Sequence, residues 1–425
     1  MLDWLSRDGK RLLAARVTRS FSYGFLAVAL GSYLKSLGLG GPEVGLVLTV
    51  ALASAAAVSI AVGLRGDAWG RRRVLIVFAA GMVAAGGILL FSDSLAAILL
   101  AVAVGTVSPT GGEVGPFVSL EQAMLPQAAP PEQRTNAFAV YNLAASLSAS
   151  LGALFSGVPA FVAPYLGWTA VPYGVLFAAY AVFGLVTLAI YAALSSDLEA
   201  GRREPLRRGT SDARRTVTRL SLLFATDSFG GGFVLQSFVA FWFASVYAVD
   251  PVALAAIFFA ANLLASLSFL LAARLADRVG LLNVMVFTHL PSNVLLMAVP
   301  LMPSFPLALV AYLGRMSLSQ MDVPTRQSYT MTLVPPADRT AAASFTTIAR
   351  NLGQSVSPTI GGAAFALSVA SPFLLGGGIK IAYDLALYAS FRAVPLDAVA
   401  RDAGGGRTRS GTAPPSPGIP RRPRP

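Results

Sequence analysis

The sequence predicts an all-α membrane protein in which twelve transmembrane helices form two pseudo-symmetric six-helix bundles. The chain has 425 residues, of which 55% are hydrophobic and 12% are charged, and its mean hydropathy is +0.66. A soluble domain averages about 25% charged residues, so the low charge content indicates a chain embedded in a lipid bilayer. The second half of the chain also repeats features of the first, which predicts two halves with one fold.

Two landmarks carry the repeat. The segment 130–135 (PPEQRT) returns 205 positions later as 335–340 (PPADRT), and the loop 63–73 (GLRGDAWGRRR) has its counterpart 210 positions later in 273–280 (ARLADRVG). Both landmarks lie in short charged loops between apolar segments. Such a duplication is typical of membrane transporters, in which a site forms between two halves that can move relative to each other.

Each predicted span contains about 20 mostly apolar residues, the length needed to cross about 30 Å of hydrocarbon. Span four holds a cluster of glycine and proline around Glu113, which predicts an irregular helix. Span twelve is the weakest, because three glycines, Lys380 and Asp384 interrupt its apolar pattern. The predicted spans are 15–36, 44–64, 73–92, 95–124, 134–158, 168–194, 217–247, 251–273, 283–302, 304–332, 340–369 and 372–394.

The loops predict the orientation of the chain. Arginine is concentrated after the even-numbered spans, whereas Lys35 is the only basic residue near the alternate loops. By the positive-inside rule both termini lie in the cytoplasm, and we expect a multi-pass protein of a prokaryotic cytoplasmic (inner) membrane. The predicted organisation is an N-terminal bundle (1–194), a cytoplasmic linker (195–216), a C-terminal bundle (217–396) and a disordered cytoplasmic tail (397–425).

Residue counts disfavour several classes of function. The chain has no cysteine and one histidine, so we expect no metal site, no cofactor and no membrane-embedded enzyme with a clustered nucleophile and base. No segment matches G-x-x-x-x-G-K-[ST], so ATP is not the direct driving force. The pI of about 10.3 arises from arginines in loops, linker and tail rather than from a folded basic face, which argues against a nucleic-acid partner.

The loop between spans two and three carries a motif. It resembles the loop signature of the major facilitator superfamily, G-x-x-x-D-[RK]-x-G-[RK]-[RK], although Ala68 stands where the family usually has a basic residue. Glycine at 63 allows two helices to approach closely, glycine at 70 allows a tight turn, and Asp67 can cap a helix or pair with an arginine. The matching residues are Gly63, Asp67, Gly70, Arg71 and Arg72, and the second copy keeps Asp277, Arg278 and Gly280.

The resemblance covers roughly residues 10–395 and implies a particular architecture. In this superfamily, spans one, four, seven and ten line a central cavity. The two bundles rock about a site near the membrane midplane and expose it alternately to each side. A monomer is the usual state. The chain is thus identified as a secondary active transporter that carries a small-molecule substrate across the lipid bilayer.

Charged residues at membrane depth are costly, so each is a candidate site. Glu113, Asp227 and Arg315 fall on spans four, seven and ten. The repeat places Glu113 and Arg315 at similar depth on related helices, so we expect an ion pair between them across the two halves. Such a pair can take up and release a proton as it opens, or it can be a structural lock. Asp227 is the alternative proton carrier.

Further polar residues are candidates with weaker support. Arg16 and Arg19 lie near the cytoplasmic boundary, and we expect them to extend toward the lipid headgroups. His289 lies near the same boundary, on a span that is peripheral in this superfamily. The candidates for the substrate cavity are Arg350, Gln236, Gln320, Asp322, Asn262 and Tyr23.

Two pairs of polar residues align between the repeats, near the cytoplasmic ends of spans four and ten. Glu121 aligns with Arg326, and Gln122 aligns with Gln327. Their position at the ends of cavity-lining spans favours a gate or a structural network over a substrate site.

The leading functional hypothesis from sequence is proton-coupled export of a small amphipathic or toxic compound. Protons are the favoured coupling ion because carboxylates lie at membrane depth. The alternative is proton-linked uptake of a small anionic metabolite, with Arg315 and Arg350 as anion ligands. A non-transporting membrane scaffold or receptor is a remote alternative, because this chain keeps several charges at depth.

Overall fold

The computed structural model describes residues 4–112, 115–130, 133–195, 211–334 and 339–393. Within these ranges sixteen α-helices and a few short 3-10 turns build twelve spans. The first half contains α1 (Arg7–Ser36), α2 (Gly41–Trp69), α3 (Arg71–Phe91), α4 (Leu95–Val104), α5 (Pro116–Met124), α6 (Arg134–Phe155), α7 (Val158–Val162) and α8 (Tyr173–Ala192). The second half contains α9 (Ser211–Gly232), α10 (Gln236–Val246), α11 (Pro251–Val279), α12 (Leu281–Ala298), α13 (Phe305–Ser319), α14 (Asp322–Leu333), α15 (Arg339–Leu367) and α16 (Ser371–Phe391).

The predicted fold class is confirmed, and three of the predicted spans are broken. Span four consists of α4 and α5, span seven of α9 and α10, and span ten of α13 and α14. In span four, Gly111 and Gly115 adopt positive φ angles of 73° and 148°, which side-chain-bearing residues rarely adopt. Broken helices are tolerated in a bilayer only where the freed backbone groups face protein or a water-filled cavity. The breaks fall on three of the four spans expected to line the cavity.

The twelfth span is a regular helix, although its sequence looked weak. Its glycines allow close packing: a Cβ added to Gly376 would lie 2.8 Å from the carbonyl oxygen of Gly230 in α9. A Cβ added to Gly377 would lie 2.4 Å from Cγ of Met297 in α12. Lys380 and Asp384 of the same helix are buried. The residues that lower the hydropathy of α16 are therefore those by which it packs inside the bundle.

Two glycines of the repeated loop motif form one-residue links between helices. Gly70 joins α2 to α3 with φ +85°, and Gly280 joins α11 to α12 with φ +88°. The expectation for Gly63 was wrong, since a Cβ added there would meet no described atom within 4 Å. Asp67 lies within α2, but its side chain is outside the described part of the structure.

The outer surface of the bundle is apolar, as a lipid-facing surface requires. Val77, Val310 and Leu367 are 65%, 68% and 88% exposed. Seven helical segments of the described chain are long and apolar enough to cross a membrane. The other spans are interrupted or carry more polar residues. The predicted linker, apart from residue 195 and residues 211–216, and the chain from residue 394 onward lie outside the described residues.

The two halves contact each other on the side opposite the arginine-rich loops that contain residues 65–73 and 274–280. The Thr359 hydroxyl of α15 donates to Thr49 Oγ1 of α2 at 2.8 Å. Lys35 Nζ of α1 donates to the carbonyl oxygen of Ala244 in α10 at 2.7 Å. Both contacts lie at the helix ends far from the arginine-rich loops. We call this end of the molecule the opposite side, and the other end the arginine-rich side.

Glycines bring α2 and α15 into backbone contact on the opposite side. A Cβ added to Gly45 would lie 2.3 Å from the carbonyl oxygen of Pro358, and one added to Gly362 would lie 2.1 Å from that of Gly41. Both distances are too short for a real side chain, so these positions require glycine in this conformation. The two halves are therefore tightly closed at this end.

The arginine-rich side has a different character. The motif residues Asp277, Arg278 and Gly280 are exposed, and Trp69 at the end of α2 is 46% exposed. A Cβ added to Gly280 would meet no described atom within 4 Å. In the first copy of the motif, Arg71 is buried and Arg72 donates from Nε to the carbonyl oxygen of Tyr191 in α8 at 3.3 Å. The halves are thus closed on the opposite side, and the second copy of the motif is exposed on the arginine-rich side.

Candidate functional site

The first half contains a fully buried ion pair. Arg19 of α1 donates from Nη2 to Glu121 Oε2 of α5 at 2.7 Å and from Nη1 to Oε1 at 3.0 Å. The hydroxyls of Tyr141 in α6 and Tyr191 in α8 donate to the same carboxylate at 2.6 and 2.8 Å. Four helices thus meet at one carboxylate whose two oxygens are fully satisfied. We call these four residues the N-half cluster.

Aromatic rings complete this cluster. The Arg19 guanidinium lies 4.4 Å from the centre of the Phe117 ring, and that of Arg16 lies 4.7 Å from the centre of the Tyr141 ring. Arg19 is 0% and Arg16 8% exposed. The expectation that both arginines extend to the lipid headgroups was therefore wrong. Bidentate pairing and ring contacts make the interior the more favourable environment for these cations.

The second half contains a larger group of buried charges around Asp227 of α9. Asp227 Oδ2 accepts from Arg326 Nη1 of α14 at 3.1 Å, and Oδ1 accepts from Lys380 Nζ of α16. Arg326 Nη1 also donates to Asp322 Oδ2, one turn earlier in α14, at 2.8 Å. These side chains are all nearly inaccessible to solvent. We call the four residues the C-half cluster.

A third carboxylate, that of Asp384, lies beside this cluster. His289 of α12 makes a 2.8 Å hydrogen bond through Nδ1 to Asp384 Oδ1 of α16, and its Nε2 lies 3.9 Å from Asp227 Oδ1. Asn293 Nδ2 donates to Asp384 Oδ2 at 2.9 Å. His289 is 3% exposed. The expectation of a peripheral histidine at the membrane boundary was wrong, because α12 turns this face toward α16 rather than toward lipid.

Two arginines near the C-half cluster have no ion pair among the described residues. Arg350 of α15 donates from Nε to Ser228 Oγ at 3.0 Å. Arg315 of α13 donates from Nη1 to Met316 Sδ at 3.2 Å, and its buried Nε has no hydrogen-bond partner among the residues that the structure describes. Both arginines lie close enough to Asp227 to interact with it electrostatically.

The remaining predicted cavity residues are dispersed. Tyr23 is buried and its hydroxyl lies 3.3 Å from Thr106 Oγ1, inside the first half. Gln236 is buried against Gly111, and Gln320 is partly buried between α13 and α14. Asn262 Nδ2 is buried and has no hydrogen-bond partner in the described part of the chain. Glu113 lies outside the described residues, so its pairing with Arg315 stays a prediction.

The aligned residues Glu121 and Arg326 do not meet each other. Each pairs inside its own half, Glu121 with Arg19 and Arg326 with Asp227 and Asp322. Gln122 is partly buried and Gln327 is exposed. In this conformation the geometry of the pair is that of two structural networks rather than of one gate between the halves.

Sequence reasoning missed Lys380, Asp384 and Asn293 as site residues. A usable signal existed, since Lys380 and Asp384 stand four positions apart in an apolar span and therefore share one helix face. Two surface pockets of about 280 and 350 Å³ lie elsewhere, at the arginine-rich ends of the two halves. No group of three His, Cys, Asp or Glu side chains is placed to hold a metal in the described part of the chain.

Comparison with solved structures finds the same fold in known transporters. The chain is similar to the nucleoside transporter NupG (TM-score 0.71, 14% identity, 91% of this chain and 99% of the other). It is also similar to a D-xylose–proton symporter (TM-score 0.69, 14% identity, 92% and 98%). An uncharacterised membrane protein of Saccharomyces cerevisiae, YJR124C, is 25% identical over 425 residues, which cover 92% of this chain and 95% of the relative.

The comparisons also include a match to a whole family. Residues 12–358 match the profile of the Major Facilitator Superfamily, which is most of the chain. The solved structures with this fold named above are transporters and not enzymes. The chain therefore belongs to the Major Facilitator Superfamily and is a multi-pass membrane transporter of a small molecule.

Proposed function

We propose that this chain is a proton-coupled secondary transporter of a small anion that works by alternating access between its two halves. The observation that carries the proposal is the pair of arginines, Arg315 and Arg350, that lie within membrane-spanning helices without an ion pair among the described residues. Of the two transport hypotheses from sequence, these arginines favour the anionic substrate over the amphipathic one.

The physical reason is the cost of an unpaired cation at membrane depth. Such a charge costs several kcal/mol unless it faces water or a counter-ion. A guanidinium presents a planar fork of donors that matches a carboxylate or phosphate group. Only one nitrogen of Arg350 is engaged, by Ser228, and its side chain is partly accessible. An anion entering from the arginine-rich side would supply the missing partner.

Charge counting around Asp227 supports the same substrate class. Four cations, namely those of Arg315, Arg326, Arg350 and Lys380, lie near three carboxylates, those of Asp227, Asp322 and Asp384. The excess of positive charge favours binding of an anion. Protonation of Asp227, the candidate carrier, would release Lys380 and Arg326 for that anion and so couple the two ions.

The proposed orientation follows the arginine-rich loops. By the positive-inside rule the arginine-rich side would face the cytoplasm. The conformation described above is closed on the opposite side, so it would be inward-facing. The proposed units are the two bundles, 1–194 and 217–396, joined by the linker 195–216, in a monomer of the cytoplasmic membrane. The predicted pair between Arg315 and Glu113 would give Arg315 a partner when no substrate is bound.

The test uses purified protein reconstituted into vesicles that contain a pH-sensitive dye. Monocarboxylates, dicarboxylates, inorganic phosphate and a cationic amphipathic dye are added separately, and proton movement is recorded. We expect one class of anion to drive proton flux. Arg350→Gln and Arg315→Gln should each lower this flux about tenfold or more, the effect of losing roughly 1.4 kcal/mol of binding. Arg392→Gln, at an exposed position, is the matched control.

Two outcomes would contradict the proposal. Proton flux with the cationic dye alone, unchanged in Arg350→Gln, would restore the export hypothesis. Anion transport without any proton movement would exclude proton coupling while leaving the anion site in place. Growth of a pump-deficient host on toxic anions, with and without expression of the chain, would then give the direction: added sensitivity means uptake and protection means export.

A further inference from the structure

We propose that His289 is a proton-binding site that controls the ion pair between Asp227 and Lys380. This inference rests on the proposed proton coupling and assigns it to a residue that lies outside the predicted site. The imidazole ring bridges two buried carboxylates, with Nδ1 2.8 Å from Asp384 Oδ1 and Nε2 3.9 Å from Asp227 Oδ1.

The hydrogen bonds define which nitrogen can exchange a proton. Asn293 donates from Nδ2 to Asp384 Oδ2, so this carboxylate acts as an acceptor toward both neighbours. Asn293 Nδ2 also lies 3.3 Å from Nδ1, but the contact from Nδ1 to Asp384 Oδ1, at 2.8 Å, is the shorter one. An ionised carboxylate can only accept, so beside an ionised Asp384 Nδ1 carries the hydrogen that it donates there. Nε2 is left facing Asp227 at a distance too long for a direct hydrogen bond. Nε2 is the nitrogen at which the charge of the ring can change.

A change in the charge of the His289 ring would act on the charged side chains around it. Charged or titratable groups near the ring come from three helices: Asp227 from α9, its partner Arg326 from α14, and Lys380, Tyr383 and Asp384 from α16. The nearest competitor is Lys380, because its ammonium contacts Asp227 Oδ1, the same oxygen that Nε2 faces. One carboxylate oxygen therefore lies between an ammonium and an imidazole nitrogen.

The proposed step moves a single proton. A hydronium ion gives its proton to the lone pair of Nε2 and becomes water, so one N–H bond forms as one O–H bond breaks, and the hydrogen bond from Nδ1 to Asp384 is kept. The imidazolium then shares Asp227 Oδ1 with Lys380, which weakens the hold of Lys380 on Asp227. Loss of the proton from Nε2 returns the site to its former state. Imidazole suits this role because its charge changes near neutral pH.

The experiment exploits the fact that the chain has one histidine. Protein labelled with 15N-histidine and purified through a histidine-free tag gives the ring signals of His289 alone. Spectra are recorded from about pH 5 to 9 in lipid vesicles. We expect a neutral ring with its hydrogen on Nδ1 at high pH and a ring protonated on both nitrogens at low pH. In Asp227→Asn, which removes one of the two carboxylates that the ring bridges, we expect the pH dependence of the ring signals to differ from that of the wild type.

Three results would overturn the inference. The first is a ring that keeps one protonation state across this range, and the second is a neutral ring with its hydrogen on Nε2. The third is wild-type proton flux in His289→Gln reconstituted into the dye-loaded vesicles, which would leave the residue a structural role only. A wild-type protein without any proton flux would instead refute the proposed function and with it the coupling role, whereas the 15N spectra decide the proton site without any transport assay.

Discussion

Glu121 and Arg326 occupy equivalent positions in the two halves, 205 residues apart, yet carry opposite charges. Each is neutralised by the first helix of its own half: Glu121 by Arg19 of α1, and Arg326 by Asp227 of α9. Asp227 follows Arg19 by 208 positions, close to the spacing of the repeat. The duplicated fold thus contains the same ion pair twice, with its polarity reversed.

The two copies differ in what surrounds them. In the N-half cluster every carboxylate oxygen is satisfied by a guanidinium and a tyrosine hydroxyl. The C-half cluster adds a lysine, a second aspartate and a neighbouring histidine, and two further arginines lie close by without ion pairs among the described residues. The first cluster has the features of a fixed brace, and the second has those of a site that exchanges ions.

In the N-half cluster, removal of one charge should destabilise the protein more than removal of both charges together. Glu121→Leu leaves Arg19 buried without a counter-ion and should cost about 3–5 kcal/mol. Arg19→Met combined with Glu121→Leu should regain much of this loss, since no buried charge is left unpaired. Melting temperatures in detergent provide the measurement. Equal destabilisation by the single and double variants would contradict the brace.

In the C-half cluster, we expect substitution of Asp227 to abolish transport even in a double variant whose melting temperature is close to that of the wild type. Asp227→Asn leaves two cations around a neutral amide and should destabilise the protein, while Asp227→Asn with Lys380→Met should melt closer to the wild type. Neither variant should support proton-coupled flux in vesicles. Asp93→Asn, at an exposed carboxylate, is the control and should retain full flux. Flux in the stable double variant would exclude Asp227 from coupling.

A disulfide should trap the closed opposite side. Thr49 and Thr359 hydroxyls lie 2.8 Å apart, and the chain has no native cysteine. Thr49→Cys with Thr359→Cys should form a cross-link on oxidation and block transport until a reductant is added. With a protease site inserted in the linker, a gel shows whether the two halves stay joined after cleavage. Cross-linked protein that still transports would contradict alternating access.

Glycine at position 362 should be required for this closed state. A Cβ there would lie 2.1 Å from the carbonyl oxygen of Gly41, so Gly362→Ala should reduce the Thr49–Thr359 cross-linking rate by a measurable factor in the cysteine pair. Gly378→Ala, where a Cβ meets no described atom within 4 Å, is the matched control. Equal rates in both variants would show that α2 and α15 separate more readily than the structure indicates.

Asp8, before the first membrane-spanning stretch, predicts a pH effect. Burial opposes ionisation of this carboxyl, but hydrogen bonds from Ser195 and Arg11 outweigh it and lower the pKa of Asp8. A lowered pKa in the folded state stabilises the protein above the ordinary value near 4 and loses that contribution as the pH falls below it. The difference in melting temperature between wild type and Asp8→Asn should therefore be present at pH 7 and shrink progressively as the pH falls below the ordinary value near 4.

Two buried ion pairs were not predicted from the sequence, because their partners are more than 100 positions apart along the chain. Arg19 looked like a boundary residue because it lies thirteen positions into a helix that begins at Arg7, and its partner Glu121 is 102 positions away. Asp227 was recognised as a charge at depth, but its partner Lys380 is 153 positions away on a span that looked defective. A hydropathy scale scores a lysine in a span as unfavourable, whereas in the folded bundle Lys380 is the counter-ion of Asp227.

The sequence by itself determined the spans, their number and the twofold repeat. These properties follow from local composition, because a bilayer requires about 20 apolar residues per crossing and every turn between crossings must be polar or flexible. The tertiary structure decided which charges meet. Pairing depends on the rotation of each helix about its axis and on which faces pack, and neither is specified by the residues of any one span. The site around Asp227 and His289 therefore exists only where α9, α12, α14 and α16 come together.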